Sequence, residues 1–171
     1  MALRNIIKRG DAGLEKPSRE VTSFDERLHT LLDDMRETLL FANGVGLAAP
    51  QVGVLRRVAL VLETSKEEED FDEQVIELIN PIILEAEGEQ EGVEGCLSIP
   101  GLVGIVVRPE KVRLRAQDRA GNWFEVEGEG LTARAFCHEL DHLDGKLYTR
   151  LCEELFDPDD LPELDDETES E

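Results

Sequence analysis

The sequence predicts an α+β fold: mostly antiparallel sheets packed around a C-terminal helix, with an amphipathic helix near the N-terminus. Three observations carry this reading. An apolar stripe of helical period runs through Val21–Gly44, several short β-type segments follow between residues 56 and 129, and a helical pattern closes the series after Gly130. In "VTSFDERLHTLLDDMRETLLFANG" the stripe is Leu28, Leu31, Leu32, Met35, Leu39 and Leu40, with Thr22 or Ser23 as the cap and Asn43-Gly44 as the stop. "RRVALVLE" reads as a strand and "TSKEEEDFDEQ" as a charged loop. "VIELINPIILEAEG" reads as two short strands around a break at Pro81, and "CLSIPGLVGIVVRP" as an apolar run rich in turn residues. "KVRLRAQDRAGNWFEVEGEG" alternates on both sides of Ala120-Gly121-Asn122, the signature of a β-hairpin. The final helix is capped near Thr132, so that strands come first and one helix closes behind them.

At 171 residues the chain makes one domain, long enough to bury roughly two-thirds of its unfolded surface, and 40% hydrophobic residues suffice for a core. The formal net charge is −22, which opposes unspecific nucleic-acid binding because phosphates are repelled. Residues 153–171 hold eleven acidic side chains and no basic one, half of that excess. This marks 1–152 as the working unit and 153–171 as a solvated, partly disordered tail. "MALRNIIKRG" lacks a signal-peptide core and no stretch approaches a membrane span, so the expectation is a cytoplasmic protein without a membrane partner. Three widely spaced cysteines, Cys96, Cys137 and Cys152, do not make a disulfide framework.

The chemistry concentrates in "FCHELDHLDG", which holds two of the three histidines. On a helix, residues four apart share a face, so His138 and His142 direct their rings to one point and Glu139 reaches toward a water on the same ion. His29, beside the apolar stripe of the first helix, reads as a structural histidine. A catalytic metal site needs a third protein ligand and an open position. Downstream of His142 there is no histidine, and the acidic tail offers glutamates on no evident helix. Upstream, "EGCLS" offers Cys96, either as a thiolate ligand or as a buried apolar filler. Cys137 points to another helix face and Cys152 has no partner, so both are expected to pack. "GVGLAAPQ" matches a weak dinucleotide fingerprint, but a helix precedes it and Pro50 prevents another from starting at once behind it; it reads as a loop whose backbone approaches a ligand.

In this order and with these separations, "GVGLAAPQ", "EGCLS" and "HELDH" resemble the signatures of the peptide deformylases, G-x-G-x-A-A-x-Q, E-G-C-L-S and H-E-x-D-H, all intact here. The similarity runs to Leu151. The resemblance implies a metal-dependent hydrolase that removes the formyl group from the N-terminal formylmethionine of newly made polypeptides. It implies Cys96, His138 and His142 as ligands of a divalent metal, Fe2+ by the habit of the family, with Ni2+, Co2+ or Zn2+ able to substitute. Glu139 is then the proton carrier, and the Gln51 amide and Leu97 backbone N–H are the oxyanion donors. Val45, Gly46, Leu131 and Ala135, with the stem of Arg134, are expected around the substrate. Arg108 is expected to pair with Asp141, which faces away from the ion. The implied partners are formylmethionyl peptides and nascent chains, met in a transient ribosome encounter, with the enzyme itself a monomer. Relatives that dock on the ribosome use a basic C-terminal helix; the acidic end here, interrupted by Pro158 and Pro162, does not suit that role. Rival readings of H-E-x-x-H are a zinc endopeptidase and a structural zinc clasp closed by a fourth ligand.

Overall fold

In the computed structural model, which describes residues 2–64 and 70–162, the first long element is helix α1, Glu26–Ala42. Its cap is Asp25, whose carboxylate accepts from the Leu28 N–H at 3.2 Å, and not Thr22 or Ser23. Aspartate also brings negative charge to the positive end of the helix. Leu28, Leu31, Leu32, Met35 and Leu39 are buried, whereas Leu40 is 56% exposed, because one step along a helix turns the side chain by about 100°. Asn43 ends the helix in the left-handed region, at φ 54°.

The segment expected as a loop is partly ordered: Gly46–Ala48 forms strand β1 and Ala49–Val52 a 3-10 turn. Pro50 lies in the first turn, where its missing N–H removes no hydrogen bond. Strand β2 spans Val58–Leu62, the single-turn helix α2 Phe71–Gln74, and strand β3 Val75–Glu87. Of the expected charged loop, residues 65–69 lie outside the described residues. The expected break at Pro81 is corrected, since β3 runs through it. The proline falls at a register shift between Ile79 and Ile82 in the ladder to the strand Lys111–Gln117, where its lack of an N–H is tolerated.

Strands β4 (Gln90–Cys96), β5 (Ile99–Arg108), β6 (Lys111–Gln117) and β7 (Trp123–Glu129) follow, and β6–β7 is the predicted hairpin. Helix α3, Leu131–Leu143, closes this run. Thr132 is not its cap: Gly130 precedes the helix, and the Thr132 hydroxyl donates instead to Glu63 at 3.0 Å. Strand β8, Leu155–Phe156, then pairs with Val103 and Gly104 of β5, so the chain returns to a sheet after α3. Residues 163–171 of the acidic tail lie outside the described residues. No described helix is long and apolar enough to cross a membrane.

All named strand pairs are antiparallel, in a five-stranded sheet ordered β1-β2-β3-β6-β7 and a three-stranded sheet ordered β4-β5-β8. The two-residue period of β2 shows how the large sheet is buried. Val58 and Leu60 pack with the α1 stripe, while Val61 joins Ala133, Phe136, Cys137 and Leu140 of α3. Helix α3 is thus trapped against the sheet with eleven of its residues buried, His138, Glu139 and His142 among them. A third cluster, Leu14, Ile99, Val106, Leu147 and Tyr148, fills the space beside the small sheet, with Cys152 packed on it.

Candidate metal centre

Two elements that are far apart in sequence meet at one point. Cys96 is the last residue of β4, and His138 and His142 lie one turn apart on α3. His142 Nε2 stands 3.3 Å from Cys96 Sγ and 3.2 Å from His138 Nε2, and the three donor atoms lie within 4.8 Å of one another. A tetrahedral ion with bonds of about 2.0–2.3 Å needs donor atoms about 3.3–3.6 Å apart, so the observed spacings suit an ion at their centre. Among the described residues no fourth His, Cys, Asp or Glu joins this group, as a closed structural clasp would require. The donor set therefore fits a divalent cation with an open position.

A buried ionic network orients the centre. Glu94 accepts a hydrogen bond from His138 Nδ1, which leaves Nε2 facing Cys96 and His142. The same carboxylate accepts from Arg108 Nη2 at 2.6 Å and Nε at 3.1 Å, and from Arg134 Nη1 at 2.9 Å. Arg108 also donates to Asp141 at 2.7 Å, the predicted pair, so one guanidinium ties the helix to the strands. Burial alone would raise the Glu94 pKa, but hydrogen bonds from His138 and Arg108, with their charges, bring it down to about 2. Burial pushes His142 down to about 3 and so keeps it neutral, the form that ligates metals. Burial also opposes charge on His138, but its contacts with Cys96 and Glu94 outweigh this and raise it to about 10. Sequence reasoning passed over Glu94. The signal was present: a buried ligating histidine needs a partner for its second nitrogen, and Glu94 precedes the ligand cysteine by two residues.

A cavity of about 360 Å³ opens in front of the three donors. Val45, Gly46, Gln51, Cys96, Leu97, Leu131, Arg134, Ala135, His138 and Glu139 all line it, which brings together nearly every residue singled out from the sequence. His142 lies behind them, 1% exposed. Val45 and Leu131 form the rim, at 41% and 49% exposed, and Ala135 lies deeper, at 5%. Asn43, Gly44, Val93, Glu94 and Gly95 complete the lining. His29 stays apart from the site, with its Nε2 2.8 Å from the Arg119 carbonyl oxygen. Cys137 packs under α3, as expected.

Glu139 is 4% exposed, and burial, partly offset by the charge on His138, raises its carboxyl to about 7. Its Oε2 has no hydrogen-bond partner among the described residues. Its Oε1 lies against Gly46, where a Cβ would stand only 2.7 Å away. The glycine of β1 is thus required by close approach to the acid. Gln51 is held by two contacts, its Oε1 accepting from the Ala48 N–H at 3.0 Å and its Nε2 donating to Ser98 Oγ at 3.1 Å. From there Nε2 is 3.5 Å from Cys96 Sγ.

Comparison with known proteins agrees with this geometry. The family model described as polypeptide deformylase matches residues 3–155. The chain is 54% identical over 148 residues to a peptide deformylase of Caldicellulosiruptor bescii, covering 86% of this chain and 84% of the relative. It is 52% identical over 161 residues to that of Acetivibrio thermocellus, covering 94% and 90%. Among solved structures, a peptide deformylase from Legionella pneumophila superposes with a TM-score of 0.81 at 45% identity, over 88% of this chain and 86% of the other. The enzyme from Thermotoga maritima gives 0.81 at 35% identity, over 90% and 100%. A match of this length and identity makes the chain a member of the polypeptide deformylase family, the hydrolases that remove the N-formyl group from nascent peptides.

Proposed function

We propose that Cys96, His138 and His142 hold the divalent cation on which this family depends, with Fe2+ the physiological ion and Ni2+, Co2+ or Zn2+ able to take its place. The donor set supports a metal without selecting one, since thiolate and imidazole suit several divalent ions. When bound, such an ion supplies Lewis acidity and makes a water acidic enough to lose its proton near neutral pH. Glu139 takes that proton on its unpartnered Oε2 and returns it to the departing amine nitrogen. A carboxyl raised to about 7 by burial suits both halves of this transfer. The formyl oxygen gains negative charge as the carbon becomes tetrahedral. Gln51 Nε2–H and the Leu97 backbone N–H stabilise it, each such donor being worth about 3 kcal/mol. The methionine side chain enters the cavity beside Leu131, Ala135 and the methylene stem of Arg134, while Val45 and Gly46 meet the substrate backbone.

Residues 1–152 form the catalytic unit, with 153–171 as an acidic appendage whose Leu155–Phe156 pairs with β5. The protein works in the cytoplasm as a monomer, and it meets nascent chains at the ribosome through a surface other than that tail, whose charge opposes RNA.

The observation that carries the assignment is the convergence of the three donors beside a cavity lined by Glu139, whose buried carboxylate has one unpartnered oxygen. The test measures formate release from a formyl-Met peptide by anaerobically purified protein, together with its metal content. Glu139→Ala is expected to retain the metal and lose at least 100-fold in kcat. Near-native turnover by that variant removes Glu139 from the mechanism, and cleavage of internal peptide bonds alone points to an endopeptidase.

A further inference from the structure

The last residue of the "EGCLS" motif reaches no part of the cavity, yet it touches a residue that does. Ser98 is 0% exposed and does not line the pocket; its Oγ accepts from Gln51 Nε2 at 3.1 Å. We propose that Ser98 is a positioning residue of the deformylation reaction, its hydroxyl setting the Gln51 amide so that one N–H is left aimed at the reacting carbonyl. The inference rests on the reading of Gln51 as an oxyanion donor.

The terminal torsion of a glutamine is broad and nearly two-fold, so a free amide presents its oxygen about as readily as its nitrogen. An oxygen turned toward a developing oxyanion repels it. Here both ends of the amide are tied. The Ala48 N–H takes Oε1, Ser98 Oγ takes one hydrogen of Nε2, and the second hydrogen is directed at Cys96 Sγ, 3.5 Å away at the wall of the cavity. The Ser98 tie is itself anchored. Ile7 N–H donates to the Gln51 carbonyl and Arg9 N–H to the Ser98 carbonyl, each at 2.8 Å. One N-terminal segment thus fixes the backbones of the 3-10 turn that carries Gln51 and of the bend that carries Leu97 and Ser98. Both oxyanion donors are held in one frame before substrate arrives, which is the source of their advantage over water.

The test is a double-mutant cycle on the metal-loaded enzyme: native, Ser98→Ala, Gln51→Ala and the double variant, with a formyl-Met peptide and rates expressed per bound metal. Rates per bound metal keep any loss of folded protein out of the comparison. Gln51→Ala should lower kcat by about 10²–10³-fold, the usual effect of deleting one oxyanion donor. Ser98→Ala should lower kcat roughly tenfold with KM changed less than twofold, since the donor survives but is misaligned part of the time. In the Gln51→Ala background, Ser98→Ala should then cost less than twofold. A Ser98→Ala effect of equal size in both backgrounds overturns the proposal and makes the role of Ser98 structural. An unchanged kcat in the native background also overturns it. Full turnover by Gln51→Ala is a separate failure, because it removes Gln51 as a donor and the basis of the inference with it.

Discussion

Replacing Glu94 with alanine tests the buried network behind the metal centre most directly. The carboxylate is 5% exposed and takes four hydrogen bonds, two from Arg108, one from Arg134 and one from His138. Its removal leaves two guanidinium groups, 5% and 6% exposed, without their shared anion. Breaking a buried pair from one side costs about 3–5 kcal/mol. Arg108 keeps Asp141 at 2.7 Å, and Arg134 keeps the Val106 carbonyl at 3.0 Å, which places the expected loss near the lower end, about 3 kcal/mol. In a chain of this size each kcal/mol shifts Tm by about 2–4 °C, so thermal unfolding followed by circular dichroism should show a fall of roughly 6–12 °C. His138 also loses the partner that fixes its ring, and metal affinity should weaken about 10–100-fold in competition with a chelator. A fall in Tm of less than about 2 °C with unchanged metal affinity would refute the argument, because it would mean the two arginines had found solvent or other anions.

Contacts elsewhere give two more expected outcomes. Gly46→Ala drives a methyl into Glu139, whose Oε1, Cδ and Cγ lie 2.7, 3.0 and 3.0 Å from its ideal position; kcat is expected to fall at least 100-fold while the metal is retained, and native turnover would show that the acid tolerates displacement. Glu77 accepts from Arg119 at 2.6 and 2.9 Å and from Arg36 at 2.9 Å; burial would raise its pKa, but these hydrogen bonds and charges hold it below the model-compound value of 4.5. A carboxylate with a folded pKa below its unfolded one contributes stability above the unfolded value, and that stability disappears as pH falls through the folded value. The difference in urea midpoint between native protein and Glu77→Gln should therefore be largest near pH 7 and shrink below about pH 4.5; a difference independent of pH would contradict the ionic role of Glu77.

The local pattern carried the elements that repeat at a short, regular interval. The α1 stripe, the β6–β7 hairpin and the placement of His138 and His142 on one helical face all arise from neighbours within about four residues, where backbone geometry leaves little choice. The local pattern failed where long-range contacts override it. Pro81 stays inside β3 because its missing N–H falls at a register shift, and β4, rich in Glu and Gly, is a strand because β5 pairs with it. At the site, the two histidines were legible alone, whereas Cys96 stood as ligand or filler until resemblance to a family spoke for the ligand. Only the fold places its sulfur 3.3 Å from His142. The contact of Glu94 with His138, that of Gly46 with Glu139 and that of Ser98 with Gln51 were not legible, for the same reason. Each joins residues more than forty positions apart, and separations along the chain carry no information about such distances until the sheets and α3 have packed.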